Sequence, residues 1–288
     1  MSNSLREVKL RMTSTQKTAQ ITKAMNMVSA SKLRRAEKTY SDYKAFMKQL
    51  DDVLSNIVSS GEKFEHPMIN NREIKKVGYI IITSDRGLAG PYNSNVLKAL
   101  TQEITEKNYS SDDYVVGVIG TQGYAYCKKK GYNLLNSEPT FVRDDVAFID
   151  IAEFGRSLIN LYENGEIDSL VVIYNHYVNT LTQNVTLKQI LPISGVEGKK
   201  EMVTEYEFDQ GIEKSLNMIL PMYVENMLYG LILDAKASEH SARMTAMKNA
   251  TDNAETFIET LRLVYNRSRQ AAITKELIDI VCGAKAVS

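Results

Sequence analysis

Thirteen residues, TSDRGLAGPYNSN (83–95), stand where an α/β protein binds a nucleotide, after a β-branched run and before a helical pattern. Phosphates are held at such places by glycines that let backbone N–H groups approach, often with a lysine behind them. The segment matches neither G-x-G-x-x-G nor G-x-x-x-x-G-K-[ST], because its glycines are wrongly spaced and no lysine follows them. It reads as a tight turn. The three histidines, His66, His176 and His240, lie far apart and in no ligand-spaced pattern, so each reads as a structural or surface residue. Cys127 and Cys282 form no C-x-x-C pair, which excludes a disulfide framework and points to a reducing compartment. There is no G-x-S-x-G and no Cys/His signature. We therefore expect no catalytic residue, no metal site and no cofactor.

The elements around that turn carry more information. VGYIIIT (77–83), YVVGVIG (114–120) and SLVVIYN (169–175) are short β-branched runs without alternation, as in buried parallel strands. SNVLKALTQEITEK (94–107) and DIAEFGRSLINLYE (150–163) read as helices between them, and QNVTLKQILPI (183–193) as a strand hairpin-paired with 169–178. This rhythm predicts a small Rossmann-like α/β sheet domain.

Both ends have another texture. From Ser2 to Ser60 there is neither Gly nor Pro, and steps of three then four residues from Leu5 pick sixteen positions, twelve of them apolar. A helix of that length would run about 80–85 Å. The same spacing from Met247 picks Met247, Ala250, Ala254, Phe257, Leu261, Val264, Ser268, Ala271, Lys275, Ile278 and Cys282. That helix is expected to begin near Pro221, or earlier with a kink there, and to stop at Gly283, about 90 Å on. Two such helices leaving one sheet domain would run antiparallel and zip into a coiled coil, a shaft on a compact foot. The expected division is 1–60 for the N-terminal helix, 61–211 for the α/β foot and 212–288 for the C-terminal helix.

The shaft is too apolar for a plain coiled coil. In ITKAMNMVSA (21–30) the seam is polar, Thr22, Asn26 and Ser29, while Ile21, Met25, Met27 and Val28 lie off it. In the tail Ile273, Leu277, Ile278, Ile280 and Val281 wrap most of the circumference. A soluble monomer seldom leaves such a surface in water, so the tip should sit inside a partner. The alternative, that Met25, Met27 and Val28 face a third helix of this chain, stays open on sequence alone.

The 288 residues carry 35 basic and 35 acidic side chains, but unevenly. Residues 1–50 hold eleven Lys/Arg against three Asp/Glu, a local surplus of eight. Such a segment seeks an acidic protein, a nucleic acid or a membrane surface. The run KLRRAEK (32–38) also fits a solvated helix face. A basic coiled-coil arm that binds nucleic acid is thus an alternative function, although a duplex offers no sleeve for the apolar tip. No apolar run approaches a membrane span and the opening MSNSLREVKL lacks the apolar core of a signal peptide, so a cytosolic setting is expected unless a partner holds the chain at a membrane.

Three segments, QITKAMNMVSASKLRRAE (20–37), TSDRGLAGPYNSNV (83–96) and the run from Glu239 to Ala284, closely resemble the gamma subunits of F-type ATP synthases. The resemblance spans the chain in the family's order. It implies a central rotor stalk whose terminal helices turn inside an α3β3 ring, with the α/β domain set against an epsilon subunit and a membrane c-ring. It implies torque transmission without catalysis, at the cytoplasmic face of the cell membrane. Matched by position, Arg269 and Gln270 would hydrogen-bond a beta-subunit loop. Met25, Lys32, Arg34, Arg35 and Arg86 would be further beta contacts, and Tyr206 and Glu207 would lie near the c-ring. Ile273, Leu277, Ile280 and Val281 would bear on the collar at the tip. Ala89 and Pro91 stand where the family often has Cys and Gly, so no thiol chemistry is expected there. The plant-type regulatory insert is absent, and the opening residues favour a bacterial protein.

Overall fold

The structure, a computed structural model, describes residues 5–59, 66–70, 72–193 and 212–287. Its first element, α1 (Leu5–Ser59), is an uninterrupted helix of 55 residues. The strands and helices that follow are β1 (Val77–Ile82), α2 (Tyr92–Glu106), β2 (Tyr114–Ile119), α3 (Thr121–Lys130), α4 (Phe148–Glu163), β3 (Ser169–Tyr177) and β4 (Gln183–Leu191). The last, α5 (Ile212–Val287), has 76 residues and keeps Pro221 inside it. The helix therefore starts nine residues before the proline and does not end at Gly283. The residues ahead of Pro221 are worth keeping helical because Leu216 and Leu220 are buried.

The chain forms two compact units, Met1–Ser29 with Met244–Ser288, and Ala30–Arg243. In the larger unit the sheet order is β2-β1-β3-β4, with β1 parallel to β2 and β3, and β3 antiparallel to β4. This is the Rossmann-like α/β sheet with a hairpin-added edge that the β-branched runs predict. Alternation along β1 sorts its side chains: Ile80 and Ile82 join the core with α4 and α5, while Val77, Tyr79 and Ile81 join the core with α2.

Leu50, Leu54 and Ile57 of α1 enter the first of these cores beside Leu216, Leu220, Tyr223 and Val224 of α5. Tyrosine hydroxyls tie the helices together: Tyr43 donates to the Asn226 carbonyl at 2.8 Å, and Tyr223 donates to Asp51 at 2.7 Å. Residues 231–242 of α5 are buried on every side. By composition alone α5 also holds an 18-residue window apolar enough to cross a membrane, and in the folded chain 56% of that window is buried, as in the core helix of a globular protein.

The smaller unit is an antiparallel coiled coil. The Thr22 and Thr251 hydroxyls share a hydrogen bond of 2.7 Å, and Asn26 Nδ2 donates to the Met244 carbonyl at 2.7 Å. As numbers fall on α1 they rise on α5. All eight buried residues described on α1 (Val8, Ala19, Thr22, Ser29, Leu33, Leu50, Leu54 and Ile57) fall on the predicted steps. On α5 the prediction needs correcting. Met247, Ala254 and Leu261 are buried as expected, but the positions between them are Thr251, Ile258 and Tyr265 rather than Ala250, Phe257 and Val264. The steps are four then three, which turns Phe257 and Val264 into solvent.

Candidate functional site

The turn 83–91 is held by its own side chains. Ser84 N–H donates to Asn93 Oδ1 at 2.9 Å, and its hydroxyl donates to the Arg86 carbonyl at 2.7 Å. Asp85 accepts the backbone N–H and the hydroxyl of Thr121, both at 3.1 Å, at the first residue of α3. The N-terminus of α3 thus holds one of this chain's own carboxylates. Below it, Gly120 has φ +94°, and a Cβ there would lie 2.2 Å from the Thr83 carbonyl oxygen. Gly120→Ala is expected to cost about 1–3 kcal/mol of unfolding free energy, from strain and a backbone clash. Urea denaturation followed by circular dichroism measures it.

The turn is clamped to α5. Arg243 donates from Nη2 to the Arg86 carbonyl at 3.1 Å, and from Nη1 to Glu239 Oε1 at 2.8 Å. Glu239 Oε2 also accepts Lys236 Nζ at 3.2 Å, and the side chains of all three are largely buried. Burial pushes the Glu239 pKa up, but the charges of Lys236, Arg243 and His240 outweigh it, and the carboxyl is held below its usual range. Close by, Tyr92 donates to the Ala235 carbonyl at 3.0 Å, and burial holds its phenol well above the ordinary pKa. The motif that sits where phosphates bind is therefore a socket that grips the buried stretch of α5.

This ionic cluster is not among the predicted site residues. Its signal is visible in KASEHSAR (236–243), where Lys236, Glu239 and Arg243 stand three and four apart. The histidines behave as structural groups. His176 Nδ1 lies 2.6 Å from Asp234, His240 Nε2 lies 3.4 Å from Asp144, and His66 Nε2 lies 3.0 Å from Asn217. Cys127 is buried, with its thiol pushed up to about 12 by desolvation, and Cys282 is exposed. Among the described residues no group of His, Cys, Asp or Glu is arranged to hold a metal ion.

The predicted partner residues fall in three places. Lys32 and Arg35 are paired within the larger unit, with Asp144 at 2.5 Å and Asp145 at 3.3 Å, while Arg34 and the side chain of Arg86 are exposed. Met25 is half-buried, and Ile21, Met27 and Val28 stand in solvent at 61%, 60% and 55% exposure. Among the described residues no third helix covers Met27 and Val28. Arg269, Gln270, Ile273, Leu277, Ile280 and Val281 are all exposed on the last turns of α5. Tyr206 and Glu207 lie outside the described residues.

The geometry of those last turns follows from the register. Carried on from the Thr22–Thr251 pair at equal rise, Leu5 falls opposite about residue 268. Among the described residues nothing of α1 lies beside α5 beyond that point, for nearly 20 residues, about 30 Å. Ile273, Leu277, Ile278, Ile280 and Val281 are each 50–62% exposed there. Five large aliphatic side chains in water on one helix end mark a surface made to be covered by other polypeptide.

An α/β sheet, an antiparallel coiled coil and an uncovered apolar helix end define a stalk-type subunit of a larger assembly. A family model described as ATP synthase matches residues 4–287, and the chain belongs to that family, the gamma subunits of the F-type enzyme. It is a central rotor-stalk subunit that transmits torque in a rotary, membrane-associated ATP synthase. Solved structures agree in fold. A central-stalk/c-ring chain of the Tetrahymena thermophila mitochondrial ATP synthase matches at TM-score 0.60 and 23% identity, over 80% of this chain and 99% of its own. A rotor chain of the Euglena gracilis mitochondrial ATP synthase matches at 0.65 and 17% identity, over 94% and 99%. A chain from the Euglena OSCP/F1/c-ring assembly matches at 0.65 and 18%, over 99% and 94%. The comparisons lend no support to a nucleic-acid-binding arm.

Proposed function

We propose that this chain is a non-catalytic subunit, and that its α5 tip turns within an apolar collar formed by alpha and beta subunits. The observation that carries this reading is the exposure of Ile273, Leu277, Ile280 and Val281 on the last turns of α5. Arg269 and Gln270, one turn below, then offer hydrogen-bond donors to a beta-subunit loop. Met25, Arg34, Arg86, Lys32 and Arg35 form the further beta contacts. Tyr206 and Glu207 lie toward the c-ring, with the epsilon subunit beside residues 61–211. Residues 1–60 and 212–288 serve as the drive helices, and the whole works at the cytoplasmic face of the cell membrane. An asymmetric shaft presents a different face to each beta subunit, which is how one rotation takes three sites through binding, chemistry and release.

The double variant Leu277→Glu/Ile280→Glu tests the collar. Burying two unpaired carboxylates in an apolar sleeve is costly, whereas both positions are exposed in the free chain. Reconstitution with α3β3 should yield roughly tenfold less complex at equal concentrations, with the melting temperature of the free subunit unchanged. Undiminished complex would refute the collar.

A further inference from the structure

The segment leading into α4 lies across α1 in the larger unit. Asp144 Oδ2 accepts Lys32 Nζ at 2.5 Å, and its Oδ1 is 3.4 Å from His240 Nε2. Asp145 meets Arg35 Nη1 with both carboxylate oxygens at 3.3 Å. Lys32 and Arg35 are three apart on α1, so they share one helix face, and two consecutive acids on an irregular segment match them. The segment is pinned at its ends, by the buried Val142 and by the Tyr229 hydroxyl donating to the Val146 carbonyl at 2.8 Å. Beneath it is a cavity of about 430 Å³, bordered by Ala36 and Thr39 of α1 and by Leu233, Lys236 and His240 of α5. The acids thus bridge open space and are held by charge.

Both ion pairs are solvent-accessible, with side-chain exposures of 41% and 44% for Lys32–Asp144 and 73% and 75% for Arg35–Asp145. Pairs this exposed are weak and break readily. The basic side chains they occupy are the ones the acidic partner would need.

We propose that Asp144 and Asp145 form an internal acidic clasp, which occupies Lys32 and Arg35 in the free subunit and is displaced when an acidic segment of the α3β3 ring docks on them. The inference rests on the reading of Lys32 and Arg35 as partner contacts. The clasp does two things. It stands in for the acidic partner, so the +8 segment meets fewer stray polyanions before assembly. It also lowers the apparent affinity of docking, because only the open form binds.

The test compares variants of the full chain binding to purified α3β3. Asp144→Asn/Asp145→Asn keeps the shapes and removes the charges. It should bind roughly three- to tenfold more tightly than the parent, the range set by releasing two exposed pairs. Lys32→Ala/Arg35→Ala should bind more weakly. If the Asn variant binds no more tightly while the Ala variant weakens, the contacts stand and the clasp is overturned. If the Ala variant binds as well as the parent, the contact reading fails and takes the clasp with it. Zero-length carbodiimide coupling gives a second readout that needs no variant. It should join Lys32 to Asp144 in the free chain, detected by peptide mass spectrometry, and the product should fall several-fold in the assembled complex. An undiminished product after assembly also overturns the clasp.

Discussion

Arg269→Ala together with Gln270→Ala should slow rotation-coupled ATP hydrolysis in the reconstituted complex by roughly two orders of magnitude, given that hydrogen bonds to charged groups are each worth about 1.5–3 kcal/mol. The argument starts from exposure. Both side chains lie in solvent on α5, and among the described residues neither spends its donors on this chain. A guanidinium beside a carboxamide offers several N–H groups in a small area, suited to loop carbonyls or carboxylates. Alanine removes those donors while keeping the helix, since surface substitutions of this kind usually change stability by only about ±0.5 kcal/mol. The melting curve of the free subunit should therefore match the parent while coupled hydrolysis drops. Full hydrolysis and pumping in the double variant would withdraw the assignment of these two residues.

Glu239→Gln should destabilise the sheet-bearing unit by about 3–5 kcal/mol, the cost of removing one member from a buried ionic group. Lys236 and Arg243 would remain buried without their counter-charge, and Arg243 would lose the anchor that holds it on the Arg86 carbonyl. Acid should reveal the same group. The folded carboxyl titrates below its unfolded value of 4.5, so its contribution is complete above that pH and is lost as pH falls through the lower folded pKa. Urea unfolding between pH 6 and pH 3 should show a steeper loss for the parent than for the Gln variant. Equal slopes, or a loss under about 1 kcal/mol at neutral pH, would show that the cluster is not structural.

Legibility from sequence followed how each element is stabilised. The β-branched runs 77–83, 114–120 and 169–175 are covered on both faces, so composition alone marked them, and the hairpin with 183–193 followed from adjacency. The seam of α1 was readable over eleven turns and more because small and large seam residues keep one phase. That of α5 was readable only at every seventh residue. Steps of three-four and four-three share Met247, Ala254 and Leu261, and apolarity favoured Phe257 and Val264, which the partner helix leaves outside. Helix α3 was missed because TQGYAYCKKK carries Gly123 and three tyrosine or cysteine side chains without a clean face, and Gly123 is there to let α3 approach Thr83. The stretch 231–242 escaped notice as a fully enclosed helix because Asp234, Lys236, Glu239 and His240 disguise it. Only tertiary structure brings Asp144 to His240 and the 86–87 carbonyls to Arg243. The clasp belongs to the same category, since nothing in 144–145 reveals which lysine it meets more than a hundred residues earlier.

One mechanical consequence follows from the single-helix stretch at the end of α5. Two helices locked side by side resist flexure far better than either alone, because material set off the neutral axis carries the load. Among the described residues the last stretch of α5 has no such companion, so bending compliance concentrates there, as in a drill with a slender pilot. Inside the proposed collar, a pilot of that sort would follow the small eccentricities of its housing while the thicker part behind it carries the twist.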